Sequence, residues 1–364
     1  MIAIGLTSRE LPSDTTDHTG AWESRLPVAA AGLYTDRDSG EGIEKKMDRR
    51  DFLKKTGPAV ALAAVTGTTG LVFHNRETAT RRKILVAKTT SFEVPPDPSL
   101  PALTSAVHAD PVAALKAALD AIGGIARFVN AGESVVLKPN VGWDRTAEQG
   151  ANTHPALVSE MVRLCLSAGA RQVIVSDVSC NDPRRSFLRS GIKEAAESAG
   201  ARVMLPSAED FIEVDLGGVV LMRWPVLRHF VEHDRLINMP VVKQHSLTRC
   251  TIGMKNLYGI LGGRRNRLHQ EIDQSIVDLA AFVRPTLTVV DATRVMLRGG
   301  PQGGSLDDLS IENMVMCSTD QVAADSRAVE LLGLGGRQIG HIALAARAGL
   351  GSLDYRGAGY KEVV

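Results

Sequence analysis

The residues best equipped for chemistry crowd into one stretch, 235–269, which reads RLINMPVVKQHSLTRCTIGMKNLYGILGGRRNRLH. Lys243, His245, Arg249, Lys255, Asn256, Arg264, Arg265, Arg267 and His269 all fall there, with hardly a carboxylate nearby to balance them. Gly253, Gly259, Gly262 and Gly263 punctuate the stretch, and glycine lets backbone close on a ligand or take positive φ. Leu236, Ile237, Val241 and Val242 open it as a short strand broken at Pro240. A strand running into a cationic, glycine-rich, histidine-bearing loop is one way α/β proteins bind anions. The stretch therefore predicts a site in which Lys243, Lys255, Asn256, Gly259, Gly262 and Arg264 or Arg265 hold a small carboxylate- or phosphate-bearing molecule. His245 is the expected general acid or base, with Lys243 close to it.

Other strand ends supply groups of the same kind. Lys138 and Asn140 close the apolar run 134–140, Asp177 ends the run 172–178 with Ser179 just beyond, Asp291 ends the run 286–291 and Asp320 follows the run 313–318. In an open parallel sheet the ligand lies beyond the carboxyl ends of the strands, so these residues are expected at one edge. Lysines and carboxylates sharing a partly closed cleft shift one another's pKa values, as acid–base catalysis requires. Asp177 or Asp291 is expected to partner His245 or to bind a metal, and His269 with Asp291 forms the candidate metal pair. His154 is open between helix cap and site residue, Asp273 is expected to cap the helix behind it, and Asp325 sits early in a later helix. The chemistry suited to such groups is proton or hydride transfer at a carbon beside a carboxylate. Its rivals are a binding protein or cofactor carrier that uses the same cleft without turnover, and a redox partner.

A parallel sheet is what brings such ends together. Apolar residues recur at helical spacing over 111–122, 155–168 and 183–199, between strand-like runs at 84–88, 134–140, 172–178 and 201–205. That alternation at short spacing implies parallel strands with right-handed crossovers. Residues 215–226 read as a hairpin around Gly217-Gly218. Beyond the cationic stretch come a helix over 274–283, strands over 286–291 and 313–318, and closing helices over 322–332 and 338–348. The predicted fold class is α/β, a mostly parallel Rossmann-like sheet with helices on both faces, covering 82–364 as one large domain or two lobes.

Composition narrows the partners. With 42 Lys and Arg against 41 Asp and Glu the net charge is +1, and aromatics make up 4% of the 364 residues. Neither a global field nor a stacking platform is available for nucleic acid. Cys165, Cys180, Cys250 and Cys317 are scattered, without zinc-ribbon or ferredoxin spacing, so no self-contained iron–sulfur motif is present. Residues 1–46 are polar and aperiodic and are expected to be a disordered or mis-called extension. At Met47 the text becomes MDRRDFLKKTGPAVALAAVTGTTGLVF. Paired arginines before Phe-Leu-Lys and a modest apolar core give 47–78 the look of a twin-arginine signal or anchor, with Met47 as the expected true start. The implied partner is the twin-arginine translocation machinery, and the implied location periplasmic or membrane-anchored on the outer side.

Several of these segments together resemble a known family. Lys138-Pro139-Asn140, Thr153-His154-Pro155, the strand ending in Asp177, the run from Asn238 to His245, T-x-G-M-K-N-x-x-G from Thr251 to Gly259, and His269 are similar to the bacterial and archaeal family called domain of unknown function 362. Asp291, Gly300-Pro301 and Asp325 fit it too, and the likeness covers roughly residues 83–352. The family's activity is not established; some members carry ferredoxin-like clusters, whose cysteines this chain lacks. A fainter similarity, in the order strand, histidine, lysine, glycines, histidine, is to the nickel-pincer lactate racemases. It implies His245 as acid/base, Lys255 as covalent anchor of a nicotinate-derived nickel cofactor and His269 as nickel ligand, so nickel or another divalent metal is the cofactor to look for. The chain departs from those enzymes where a second acid/base histidine is expected, since Asp177-Val178-Ser179-Cys180 stands there. Gly262-Gly263-Arg264 also lies after Lys255 instead of before it.

Overall fold

In the computed structural model, residues 92–363 are described. The polar extension 1–46, the twin-arginine stretch 47–78 and the strand expected at 84–88 lie outside them. In chain order the elements are β1 (Leu103–Val107), α1 (Pro111–Ala121), β2 (Ser134–Pro139), α2 (Pro155–Ser167), β3 (Gln172–Val175), α3 (Pro183–Arg189), α4 (Ile192–Ser198) and β4 (Arg202–Val203). Next come β5 (Phe211–Asp215), β6 (Arg223–Leu227), α5 (His229–Glu232), β7 (Arg235–Met239), β8 (Val241–His245), β9 (Arg249–Thr251) and α6 (Gly253–Asn256). The chain continues with α7 (Ile272–Phe282), β10 (Leu287–Met296), β11 (Leu309–Ser318), α8 (Gln321–Ala328), α9 (Gly340–Arg347) and β12 (Tyr360–Val363).

Local chemistry sets the helix starts. Proline in the first turn opens α1, α2 and α3, and the side chains of Asp110, His154 and Asp182 each accept a backbone N–H there. Thus His154 is a cap. The main sheet runs β12-β1-β11-β10-β7-β2-β3-β4, with β8 paired to β10 and β9 to β8. Neighbours from β10 through β7, β2 and β3 to β4 are parallel, whereas β11 is antiparallel to both β1 and β10. The fold is α/β with a mostly parallel mixed sheet.

Period-two alternation gives that sheet two apolar faces. Val135, Leu137, Val173 and Val175 pack with Leu115, Leu157, Met161 and Ile192 on one face. Val136, Leu236 and Val290 pack with Ile276, Val322 and Ile342 on the other, where the β5–β6 hairpin adds Ile212 and Val226. All described residues belong to one compact unit, 77–364. Among them no helix is long and apolar enough to cross a membrane.

Three expectations are corrected. The helix expected over 183–199 is two short ones, because Gly191 takes a left-handed φ of 74° and restarts the chain as the N-cap of α4. The strand expected over 201–205 is paired only at β4. The closing strand β11 runs antiparallel, so Asp320 beyond its end lies at the sheet edge opposite the ends of β2, β3 and β7.

Candidate functional site

The parallel strands β7, β2 and β3 end side by side, and their last residues form the floor of a cleft. Lys138, fully buried at the end of β2, donates to Asp177 Oδ1 at 2.7 Å, to the Pro139 carbonyl at 3.1 Å and to Asn256 Oδ1 at 3.3 Å. The other oxygen of Asp177 accepts the Val141 N–H at 2.7 Å. Burial pushes the Lys138 pKa down, and the adjoining carboxylate opposes that. Gly259 lies directly over this pair: a β-carbon there would run into the Asp177 carboxylate and the Lys138 ammonium. Its carbonyl accepts the Val178 N–H at 2.8 Å, so the absence of a side chain allows the loop to seal the floor.

Asn256 ties floor to wall. Its Oδ1 also accepts from Asn140 Nδ2 at 2.9 Å, while its Nδ2 donates to Asn238 Oδ1 at 2.8 Å and to the Lys138 carbonyl at 3.3 Å. It is carried on the single turn α6, whose first two N–H groups, Gly253 and Met254, donate to the fully buried Asp325 at 2.7 and 3.1 Å. A carboxylate suits that positive helix end, although burial lifts Asp325 to about 7. Asp325 thus orients α6 from behind.

Three cationic side chains line the cleft above this floor. Lys243, 1% exposed, donates only to neutral oxygens, Asn140 Oδ1 at 3.0 Å and the Ala151 carbonyl at 2.6 Å. Burial brings it down to about 7. Lys255, 8% exposed, lies over the Tyr258 ring at 4.2 Å and has no hydrogen-bond acceptor among the described residues. Burial, reinforced by Arg265, lowers it to about 8. Arg265 is half-buried and donates to the carbonyls of Val178, Tyr258 and Ser179 at 3.0, 3.3 and 3.1 Å.

His245 lines the same cleft at the end of β8. Its Nδ1 accepts the N–H groups of Leu247 at 3.0 Å and Thr248 at 3.4 Å, across the turn into β9. Burial, with Lys255 and Lys243 nearby, holds its pKa down to about 4. With Nδ1 accepting, the neutral ring carries its proton on Nε2. It presents a neutral donor to the cleft and has no lone pair left for a base.

The cleft is open on one side and offers about 90 Å³ of cavity volume, room for a few waters or a small anion. Asn140, Asp177, Lys243, His245, Lys255, Asn256 and Gly259 from the sequence expectation line it together, and Lys138 lies beneath. Of the two arginines expected, Arg265 lines the cleft and Arg264 is exposed and outside the lining. Gly262 is also outside: it packs against the hairpin, its N–H donating to the Pro225 carbonyl at 2.8 Å. Trp143, Cys180 and Pro301 are lining residues that sequence reasoning missed. Cys180 carried one signal, its place three residues beyond Asp177.

The candidate metal ligands do not come together. His269 is exposed and outside the lining, while the Asp291 carboxylate accepts the His154 N–H at 2.7 Å and the Thr293 N–H and hydroxyl at 3.0 and 2.7 Å. Asp273 lies 3.4 Å from His341 Nδ1, in the first turn of α7, which begins after Glu271 instead. Among the described residues no three His, Cys, Asp or Glu side chains are grouped to hold a metal ion. These residues therefore do not fit a nickel centre ligated by His269.

Residues 135–330, more than half of the 364, match the family described as "Domain of unknown function (DUF362)". The chain belongs to that family. A thylakoid-associated protein of Synechocystis sp., sll1697, is 25% identical to this DUF362 chain over 253 residues, 66% of this chain and 75% of that protein. Among solved structures, the lactate racemase apoprotein of Thermoanaerobacterium thermosaccharolyticum is 12% identical with a TM-score of 0.38, covering 63% of this chain and 56% of that one. A Thermotoga maritima protein is 12% identical with a TM-score of 0.37, covering 61% and 58%. The DUF362 chain thus spans little more than half the length of either solved protein.

Proposed function

We propose that the cleft is an enzyme site for a small carboxylate- or phosphate-bearing molecule, using lysine-centred acid–base chemistry. One observation carries this reading: Lys255 is buried against the cleft with no acceptor, beside Lys243, whose acceptors are neutral. The ammonium opens on the cleft with no counter-charge beside it among the described residues, and an anionic ligand supplies the missing partner. Among the described residues, Asp177 is the one carboxylate of the lining, and Lys138 already neutralises it at 2.7 Å.

The division of labour follows from the hydrogen bonds: Lys243 spends two N–H groups on Asn140 and Ala151, whereas Lys255 spends none among the described residues. Arg265 and Lys243 hold the anionic group. Lys255, brought near neutrality, exchanges a proton with the carbon beside it. The Nε2–H of His245 stabilises charge developing on the adjoining oxygen. This recasts His245 as a donor and moves the acid–base role to lysine. The Arg49-Arg50 stretch supports export of the folded chain to the extracytoplasmic side.

The test is exchange of the C2 hydrogen of small 2-hydroxy acids in deuterated water, followed by proton NMR, with calorimetric binding of the same acids in parallel. Exchange that disappears in Lys255→Met supports the reading. Binding without exchange for every acid makes the chain a binding protein, and neither binding nor exchange removes the anion site.

A further inference from the structure

Cys180 differs from the other three cysteines. Cys165, Cys250 and Cys317 are buried, and burial pushes their thiols up, that of Cys165 to about 12. Cys180 is exposed and lines the cationic cleft just beyond β3. Its backbone is fixed on both sides: its own N–H and that of Asn181 donate to the Gly142 carbonyl at 2.9 and 3.1 Å, and the preceding Ser179 carbonyl receives Arg265 Nη2 at 3.1 Å. A β-carbon at Gly142 would lie 3.6 Å from Asn140 Oδ1 and 4.0 Å from Cys180 Sγ. The sulfur and the amide oxygen that receives Lys243 thus both flank Gly142, and Lys243, Lys255 and Arg265 line the same cleft. A thiol in cationic, partly exposed surroundings has the character of a nucleophile. The second, independent observation is Lys255 itself, more than nine-tenths buried, without an acceptor and lining the same space, which calls for an anion next to that sulfur.

We infer that Cys180 is a nucleophile for small carboxylate-bearing electrophiles, which Lys243, Lys255 and Arg265 seat against its sulfur. The inference rests on the anion reading of the cleft and adds a covalent step to it. With a 2-oxo acid or an aldehyde acid, the sulfur adds to the carbonyl carbon and the carbonyl π pair moves to oxygen. The thiol proton ends on that oxygen, giving a thiohemiacetal. Nothing is oxidised and no group leaves.

Alkylation of the full chain separates this from ordinary thiol exposure. Iodoacetate and iodoacetamide both form a carbon–sulfur bond with loss of iodide, but only iodoacetate carries a carboxylate. Peptide mass spectrometry then gives each rate at Cys180, with Cys180→Ser as the site control and glutathione as the reference thiol. The iodoacetate-to-iodoacetamide rate ratio at Cys180 is expected to exceed that of glutathione by about tenfold or more, since a focused cationic field raises encounter rates on that scale. Malonate should abolish the excess without changing the iodoacetamide rate, a measurement that needs no variant, and Lys255→Met should reduce it. A ratio equal to that of glutathione, or an excess that survives saturating malonate, overturns the inference. Calorimetry with malonate keeps the two proposals apart. Binding with an ordinary ratio leaves the anion site and removes the nucleophile, whereas an ordinary ratio without binding removes both.

Discussion

Lys138 and Lys255 are two buried lysines of one cleft with opposite surroundings. Lys138 spends its hydrogens on Asp177, Pro139 and Asn256, and the carboxylate at 2.7 Å cancels its charge. Lys255 has an aromatic ring 4.2 Å away and no acceptor. The first is a fastening: it holds the end of β2 to the second residue beyond β3, and through Asp177 it fixes the Val141 N–H. The second is a vacancy for charge. A buried ion pair is weak grounds for stability as such, yet removing one partner leaves the other stranded. Lysine type alone says nothing about which role a residue plays; the neighbouring acceptor decides it.

The widest separation between the two is therefore expected in stability. Lys138→Met strands the Asp177 carboxylate in the floor and should cost about 3–5 kcal/mol in urea unfolding at pH 7. Lys255→Met removes a cation that no carboxylate among the described residues pairs with and fills the space over Tyr258, so it should be neutral or stabilising. Equal losses in the two variants would erase the distinction between fastening and vacancy. A smaller loss sharpens it from the backbone side. Gly259→Ala drives a methyl into the Asp177 carboxylate and the Lys138 ammonium, and overpacking at such a site costs about 1–3 kcal/mol. Alanine at Gly263 meets the Pro225 ring at 3.2 Å and Trp224 Nε1 at 3.9 Å, though its left-handed φ of 64° adds strain of its own.

Much of this arrangement could be read from sequence because period-two and helical patterns locate β2, β3 and β7, and parallel topology then puts their ends together. Lys138, Asp177, Lys243 and His245 follow from that rule alone. Where the rule failed, the strand did not obey its premise. Asp320 follows an antiparallel strand and caps α8, its Oδ1 accepting from Val322 and Ala323 at 2.9 and 2.8 Å. Asp291 sits inside β10, which continues to Met296, well past the expected end at 291. The choice between Arg264 and Arg265 could not be read, since it depends on how the turn after Gly263 rotates, and both residues look alike on paper. β1 was hidden because LTSAV is short and follows a proline-rich connection. The acid–base assignment to His245 changed for a similar reason: nothing in HSLT announces that two N–H groups of the following turn will occupy Nδ1.

The finest discrimination between the lysines comes from pH. Lys255 titrates near 8 in the folded chain and at its ordinary value of about 10.4 when unfolded. Between those values the unfolded chain binds the extra proton, so stability must rise with pH there and fall away as pH drops through about 8. One lysine contributes a slope of at most about 1.4 kcal/mol per pH unit. Lys243, near 7, adds the same sign from lower pH, whereas Asp325, lifted to about 7, opposes it below neutrality. Urea unfolding at intervals from pH 8 to 10 should therefore give a shallower rise for Lys255→Met than for the unaltered chain. Saturating phosphate should close that gap, because a bound anion restores the lysine charge and with it the ordinary pKa. Parallel slopes without phosphate would mean that Lys255 keeps its proton throughout the range, and that the cleft's excess charge is balanced by something other than a ligand.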